Sequence, residues 1–139
     1  MAVLGRLNEA SSLIARERLA PLFARFGLQS GEFDVLATLR RSGSPYALTP
    51  TALYEATMVT SGAMTNRLDR LEKAGLILRG PHPNDRRGIV VQLTGKGLAL
   101  VDEAVTAHVG NEHEILSGLT RTEQETLARL LEKLIGSVS

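Results

Sequence analysis

The chain has no cysteine and no tryptophan, and its aromatic residues amount to 4%. Without cysteine there are no disulfides, no thiolate metal sites and no thiol redox chemistry. No apolar run approaches the roughly 18 residues that a membrane-spanning helix needs. The start, MAVLGRLNEASS, lacks the basic start and apolar block of a secretory signal, so a cytoplasmic protein is expected. A strong charge of either sign is missing too: the net charge is +1. The whole molecule therefore does not announce a polyanionic partner. Enzyme signatures are also missing. There is no G-x-S-x-G elbow, no P-loop and no cysteine nucleophile. Glu32 and Asp34 are two positions apart on an expected helix and do not share a face. No catalytic residue and no cofactor are expected. The glycines of Gly95-Lys96-Gly97 lack the rest of a phosphate loop and belong to a helix start. His82, His108 and His113 are the only histidines. The five-residue step between the last two does not suit two ligands on one helix face, so no metal site is expected. His108 falls on an apolar stripe, where a core or interface histidine is the default.

What is present is ordinary in amount and informative in arrangement. The chain is 139 residues long, 43% hydrophobic and 22% charged, values that suit one globular domain. Between residues 60 and 92 six basic residues stand against three acidic ones. A basic segment on a mildly acidic remainder is a weak footprint for nucleic acid.

Apolar spacing gives the elements. Residues 4–26 carry Leu4, Leu7, Ile14, Leu19, Leu22, Phe23 and Phe26, with Pro21 bending or dividing the helix and Gly27 stopping it. Ser30 is expected to cap a helix bearing Phe33, Leu36 and Leu39. Thr49 caps a short helix with Pro50 at its first position, where the missing N–H has no helical partner to lose. Leu53 and Ala56 are expected to face inward. Thr60 or Ser61 caps the next helix, which buries Met64, Leu68 and Leu71 and ends at Gly75. Opposite that stripe lie Gly62, Asn66, Asp69, Arg70 and Lys73, with Thr65 on the flank. Two β-favouring runs, Leu76–Leu78 and Ile89–Leu93, predict a hairpin with Arg79 to Gly88 as its loop. Thr94 caps a long helix with Leu98, Val101, Val105 and His108 in register. Thr120 and Glu123 form a capping box for a last helix with Leu127, Leu130, Leu131 and Leu134.

This order, three helices followed by a hairpin, has the content of a winged helix-turn-helix. A major groove admits one α-helix that packs one face on its protein and offers short polar groups on the other. Ser61, Gly62, Thr65 and Asn66 meet that demand, and Arg70 can reach guanine or the backbone. The same residues also fit an ordinary polar face; the hairpin with two tip arginines tips the balance towards DNA. Arg86 and Arg87 suit the negative potential of a narrow minor groove. Asp85 would repel phosphate, so its expected role is to hold Arg87 by a charge-assisted hydrogen bond.

The segments GLQSGEFDVLATLRRSG (27–43), SGAMTNRLDRLEKAGLILR (61–79) and DRRGIVVQLTGKGLALVD (85–102) resemble the MarR family. The Asp-x-Arg wing pattern followed by LTGKG carries most of that resemblance. It implies a mostly α (α+β) winged helix-turn-helix with N- and C-terminal dimerisation helices. In one domain over 1–139, residues 30–93 would form the DNA-binding lobe, and 1–29 and 94–139 the dimerisation region. It implies a homodimer on double-stranded DNA at a palindromic operator, usually as a repressor, with reading helices about 34 Å apart. Arg87 would be the minor-groove arginine, Asp85 its orienting partner and Arg86 their neighbour. A small phenolic or aromatic effector would bind between the dimer platform and the lobe, near Arg16, Phe33 and Tyr54. The absence of cysteine removes the peroxide-sensing mode of some relatives. The alternative is a winged-helix adaptor for other proteins, which would not need the polar face and wing arginines together.

Overall fold

The structure is a computed structural model that describes residues 1–29, 31–57 and 61–139, with Ser61 described by its backbone alone. The elements run α1 (Ala2–Leu13), a π-helical segment (Ile14–Leu19), α2 (Ala20–Ala24), α3 (Glu32–Arg41), β1 (Ala47–Leu48), α4 (Pro50–Ala56), α5 (Ser61–Lys73), β2 (Ile77–His82), β3 (Asp85–Leu93), α6 (Gly95–Ile115) and α7 (Arg121–Val138).

Pro21 divides the first helical stretch as expected. It stands in the first turn of α2, directly after the widened π turn, where its missing N–H breaks the regular ladder. Asn111 of α6 donates its side-chain amide to the Arg18 carbonyl at 2.9 Å, pinning the irregular segment. The glycine stops also hold. Gly27 and Gly75 have φ of +72° and +79°, the left-handed conformation glycine adopts without a Cβ clash. After each, the next residue, Leu28 or Leu76, bonds back to a carbonyl of the helix and buries its side chain.

Thr49, Thr94 and Thr120 cap α4, α6 and α7 with their hydroxyls, and the Thr120–Glu123 capping box is complete. Ser30 and Thr60 lie outside the described residues. The N-cap of α3 is Gly31, and Ser61 is the first residue of α5.

The core is drawn from the middle of the chain. Val35, Leu36 and Leu39 of α3, Leu53 of α4, Met64, Leu68 and Leu71 of α5, Ile77 of β2, Val91 of β3 and Val101 of α6 are all buried. Ala56, expected inside, is exposed; the short α4 turns Leu53 inward, and Thr57 beyond its end is buried with its hydroxyl donated to the Leu53 carbonyl at 2.8 Å. α1 and α7 contain no buried residue. Among the described residues no helix is long and apolar enough to cross a membrane.

The antiparallel sheet has the order β1-β3-β2. β1, unexpected from sequence, is two residues paired with Gln92 and Val91. The hairpin is longer than expected. β2 and β3 pair from Ile77↔Leu93 to His82↔Asp85, with a register shift at Pro81/His82. The loop is therefore Pro83–Asn84 rather than Arg79 to Gly88. A solvated ribbon holds its backbone ladder whatever its side chains, so polarity hid these strand residues.

Candidate nucleic-acid interface

The buried stripe Met64, Leu68 and Leu71 fixes which face of α5 looks outward. Gly62, Thr65, Asn66, Asp69, Arg70 and Lys73 are all exposed. They fall into two groups. The first turns present Gly62, Thr65 and Asn66, short groups suited to base edges. On the later turns, Asp69 and Arg70 are engaged within the protein.

Arg79 makes the first of these engagements. Its guanidinium reaches Asp69 at 2.7 Å and Glu72 at 2.9 Å, and its backbone N–H donates to the second Glu72 oxygen at 2.9 Å. The Arg79 hydrogen bonds hold the Glu72 carboxyl below its usual range, while Glu72 and Asp69 raise the Arg79 pKa. The base of the hairpin is thereby tied to α5, and two carboxylates beside the outward face are neutralised.

Arg70 makes the second. Its Nε donates to Glu32 at 3.0 Å, and the Glu32 side chain is almost completely buried. Arg67 points inward as well: its Nε is buried without a hydrogen-bond partner, and its guanidinium packs over Gly31. Neither Arg79 nor Glu32 was singled out from sequence as part of this face. Asp69 and Glu72 at i and i+3, followed by an arginine just past the Gly75 turn, could have signalled the first contact. Glu32 and Arg70 are 38 residues apart, and nothing local announces that pair.

The start of α6 closes the end of α5. Lys96 donates to the Ala74 carbonyl at 2.9 Å and Thr94 to the Gly75 carbonyl at 2.7 Å, a cation and a donor at the negative helix end. The hairpin therefore leaves the body from a fixed base.

At the tip, the Asn84 N–H donates to His82 Nδ1 at 3.0 Å. Gly88 faces His82 across the ribbon, where an added Cβ would lie 2.8 Å from the His82 Cβ. The Asp85 carboxylate accepts a hydrogen bond from Arg87 at 3.0 Å, but from the backbone N–H rather than the guanidinium. Asp85 thus shapes the turn and leaves the Arg87 head unclaimed. Arg86 and Arg87 are exposed, and neither guanidinium has an ion-pair partner among the described residues.

The expected effector residues lie in three different surroundings. Arg16 is exposed and pairs with its neighbour Glu17 at 3.1 Å. Phe33 stacks on Phe23 with ring centres 4.5 Å apart, and His108 packs against both rings. His108 occupies the apolar surroundings expected of it, with Nε2 3.0 Å from Glu112. Tyr54 lines an open cavity of about 290 Å³ with Pro50, Thr51, Met64, Thr65 and Leu68, along the flank of α5. Among the described residues no three His, Asp or Glu side chains gather as a metal site.

The sequence model of the MarR family matches residues 28–89, from just before α3 through the wing tip and into β3. The HTH-type transcriptional regulator PecS of Dickeya dadantii is 44% identical over 134 residues, covering 96% of this chain and 80% of that protein. The crystal structure of a MarR mutant from E. coli complexed with operator DNA superimposes with a TM-score of 0.83 at 32% identity, over 94% of this chain and 92% of that one. Bordetella bronchiseptica BpsR, whose DNA binding is regulated by 6-hydroxynicotinic acid, superimposes with a TM-score of 0.79 at 27% identity, over 96% and 98%.

Proposed function

We propose, because this chain belongs to the MarR family, that it is a DNA-binding transcriptional regulator acting as a homodimeric repressor on a palindromic operator in the cytoplasm. One observation carries this: the outward N-terminal turns of α5 stand beside a rigidly based wing whose two tip arginines, Arg86 and Arg87, have guanidinium groups without an ion-pair partner among the described residues. Unclaimed guanidinium groups on a projecting ribbon are what a phosphate-lined groove selects. In this reading Ser61, Gly62, Thr65 and Asn66 enter the major groove and Arg86 and Arg87 the minor groove, while Asp85 sets the turn. A small phenolic or aromatic effector releases the DNA. Arg16, Phe33 and Tyr54 are its candidate contacts, and the cavity at Tyr54 adjoins the reading helix.

The test is selection of bound fragments from genomic DNA, followed by anisotropy titrations of a labelled selected duplex over a range of salt. Affinity should fall steeply with salt as phosphate contacts are displaced. A protein–protein adaptor would ignore every duplex even at low salt.

Two substitutions resolve the interface. Arg87→Ala should weaken operator binding by about tenfold or more, comparable with a lost charge-assisted contact, while sedimentation still reports a dimer. Unchanged affinity would remove the wing from the mechanism. Asn66→Ala should narrow the affinity gap between the selected duplex and single-base variants, by about 1–3 kcal/mol at the base it reads. Equal losses on every sequence would make Asn66 a backbone contact instead.

A further inference from the structure

We propose that Arg70 and Glu32 are positioning residues for operator recognition: their ion pair sets the rotation of the reading helix, and Arg70 does not itself read DNA. The proposal deepens the DNA-binding function above and rests on it.

Glu32 is 1% exposed, yet it is a carboxylate in the first turn of α3. A carboxylate in that position needs a cation and hydrogen bonds to offset its lost hydration. It has both. The Gln29 N–H donates to Oε1, Arg70 Nε donates to Oε2 at 3.0 Å, and Arg70 Nη2 reaches Oε1 at 3.4 Å. Arg70 is the only cation paired with Glu32 among the described residues. Its side chain is 51% exposed, so from outside it looks available to DNA. Two of its three nitrogens are already committed.

The geometry explains why such a pair matters. α5 is held by the apolar stripe Met64, Leu68 and Leu71, and apolar contact is non-directional. A roll of about 20° would move a group at the helix surface, about 5–6 Å from the axis, by roughly 2 Å. That shift exceeds the tolerance of a hydrogen bond to a base edge. The two-pronged bond between Arg70 and the start of α3 supplies the missing direction. Arg79, bonded to Asp69 and Glu72, holds the same helix towards the wing. Were a phosphate to draw Arg70 away, Glu32 would be left as an uncompensated buried charge, so the pair resists that exchange.

The experiment measures binding of the full-length dimer to a labelled selected operator across a salt series, for wild type, Arg70→Met, Glu32→Gln and the double variant. Arg70→Met should weaken binding by about tenfold or more, because it strands a buried carboxylate. Adding Glu32→Gln, which neutralises that carboxylate at constant size, should restore most of the loss. The slope of log affinity against log salt should be unchanged in all three variants. A double variant no better than Arg70→Met, or a slope reduced by about one in Arg70→Met, would make Arg70 a DNA contact and overturn the proposal. If Arg70→Met does not fold, recovery of a folded dimer on adding Glu32→Gln supports the pair, and continued misfolding overturns it. Should wild type bind no duplex, the DNA-binding function itself fails. Amide hydrogen exchange across Ser61–Lys73 then decides the pair alone: faster exchange in Arg70→Met that the double variant reverses supports it, and unchanged exchange overturns it.

Discussion

Replacing Gly97 by alanine should lower the unfolding temperature by roughly 6–12 °C, taking an overpacking cost of about 3 kcal/mol at about 2–4 °C per kcal/mol for a chain of this size. Gly97 lies in the first turn of α6 and is buried. A Cβ there would sit 2.0 Å from the Leu76 carbonyl oxygen, 3.0 Å from its carbon and 3.2 Å from a methyl of Leu93. The nearest obstacle is backbone, so no rotamer change relieves it. Leu76 carries the turn from α5 into β2, and its carbonyl accepts the Thr94 N–H at 3.1 Å. Pushing α6 away therefore disturbs the point where reading helix, wing and long helix meet. Operator affinity should fall together with stability, because the wing is displaced relative to α5.

Gly95→Ala is the matched control. It stands two residues earlier in the same turn, and a Cβ there meets nothing within 4 Å. Alanine in a compatible helical position is neutral or stabilising by up to about 1 kcal/mol, since it restricts the unfolded chain. Differential scanning fluorimetry on both variants separates close approach from helix propensity. Equal unfolding temperatures for the two would show that α6 does not press on the Leu76 carbonyl.

What the sequence made legible was set by range. Caps and stops are decided by neighbours three to five residues away, so Thr49, Thr94, Thr120, Gly27 and Gly75 were all found. The buried stripe of α5 followed from helical period alone. β1 escaped because two residues carry no period; its pairing with Gln92 and Val91 is a tertiary event. The outer hairpin escaped for a related reason: Arg79 to His82 pair through backbone with Val91, Val90, Ile89 and Asp85, while their own side chains read as loop. Within the candidate interface, the exposure of Gly62, Thr65 and Asn66 was legible. The commitments of Arg70 and Arg79 were not, because an arginine looks the same in sequence whether it faces a groove or a carboxylate. Asp85 shows the limit at short range. That it bonds Arg87 was foreseeable, but that it bonds the N–H and frees the guanidinium depends on turn geometry.

Removing residues 120–139 should convert the protein to monomer or aggregate and reduce operator affinity by roughly a hundredfold or more, the loss expected when two linked half-site contacts become independent. α7 is an 18-residue helix with no buried residue. Leu127 and Leu130 are 42% and 51% exposed, and Ile135 is 63% exposed. Within the chain its side chains reach back mainly at the base, where Gln124 donates to the Leu116 and Leu119 carbonyls at 3.1 Å. A helix owes most of its stability to packing of an apolar face rather than to propensity, and this face has little to pack on in a single chain. A second copy supplies the missing surface; Leu4 and Leu7 of α1 are exposed as well. Sedimentation and anisotropy on the truncated protein test this together. A soluble truncated dimer with undiminished affinity would mean that the α6 face alone holds the two copies, and that α7 is stabilised by some other contact.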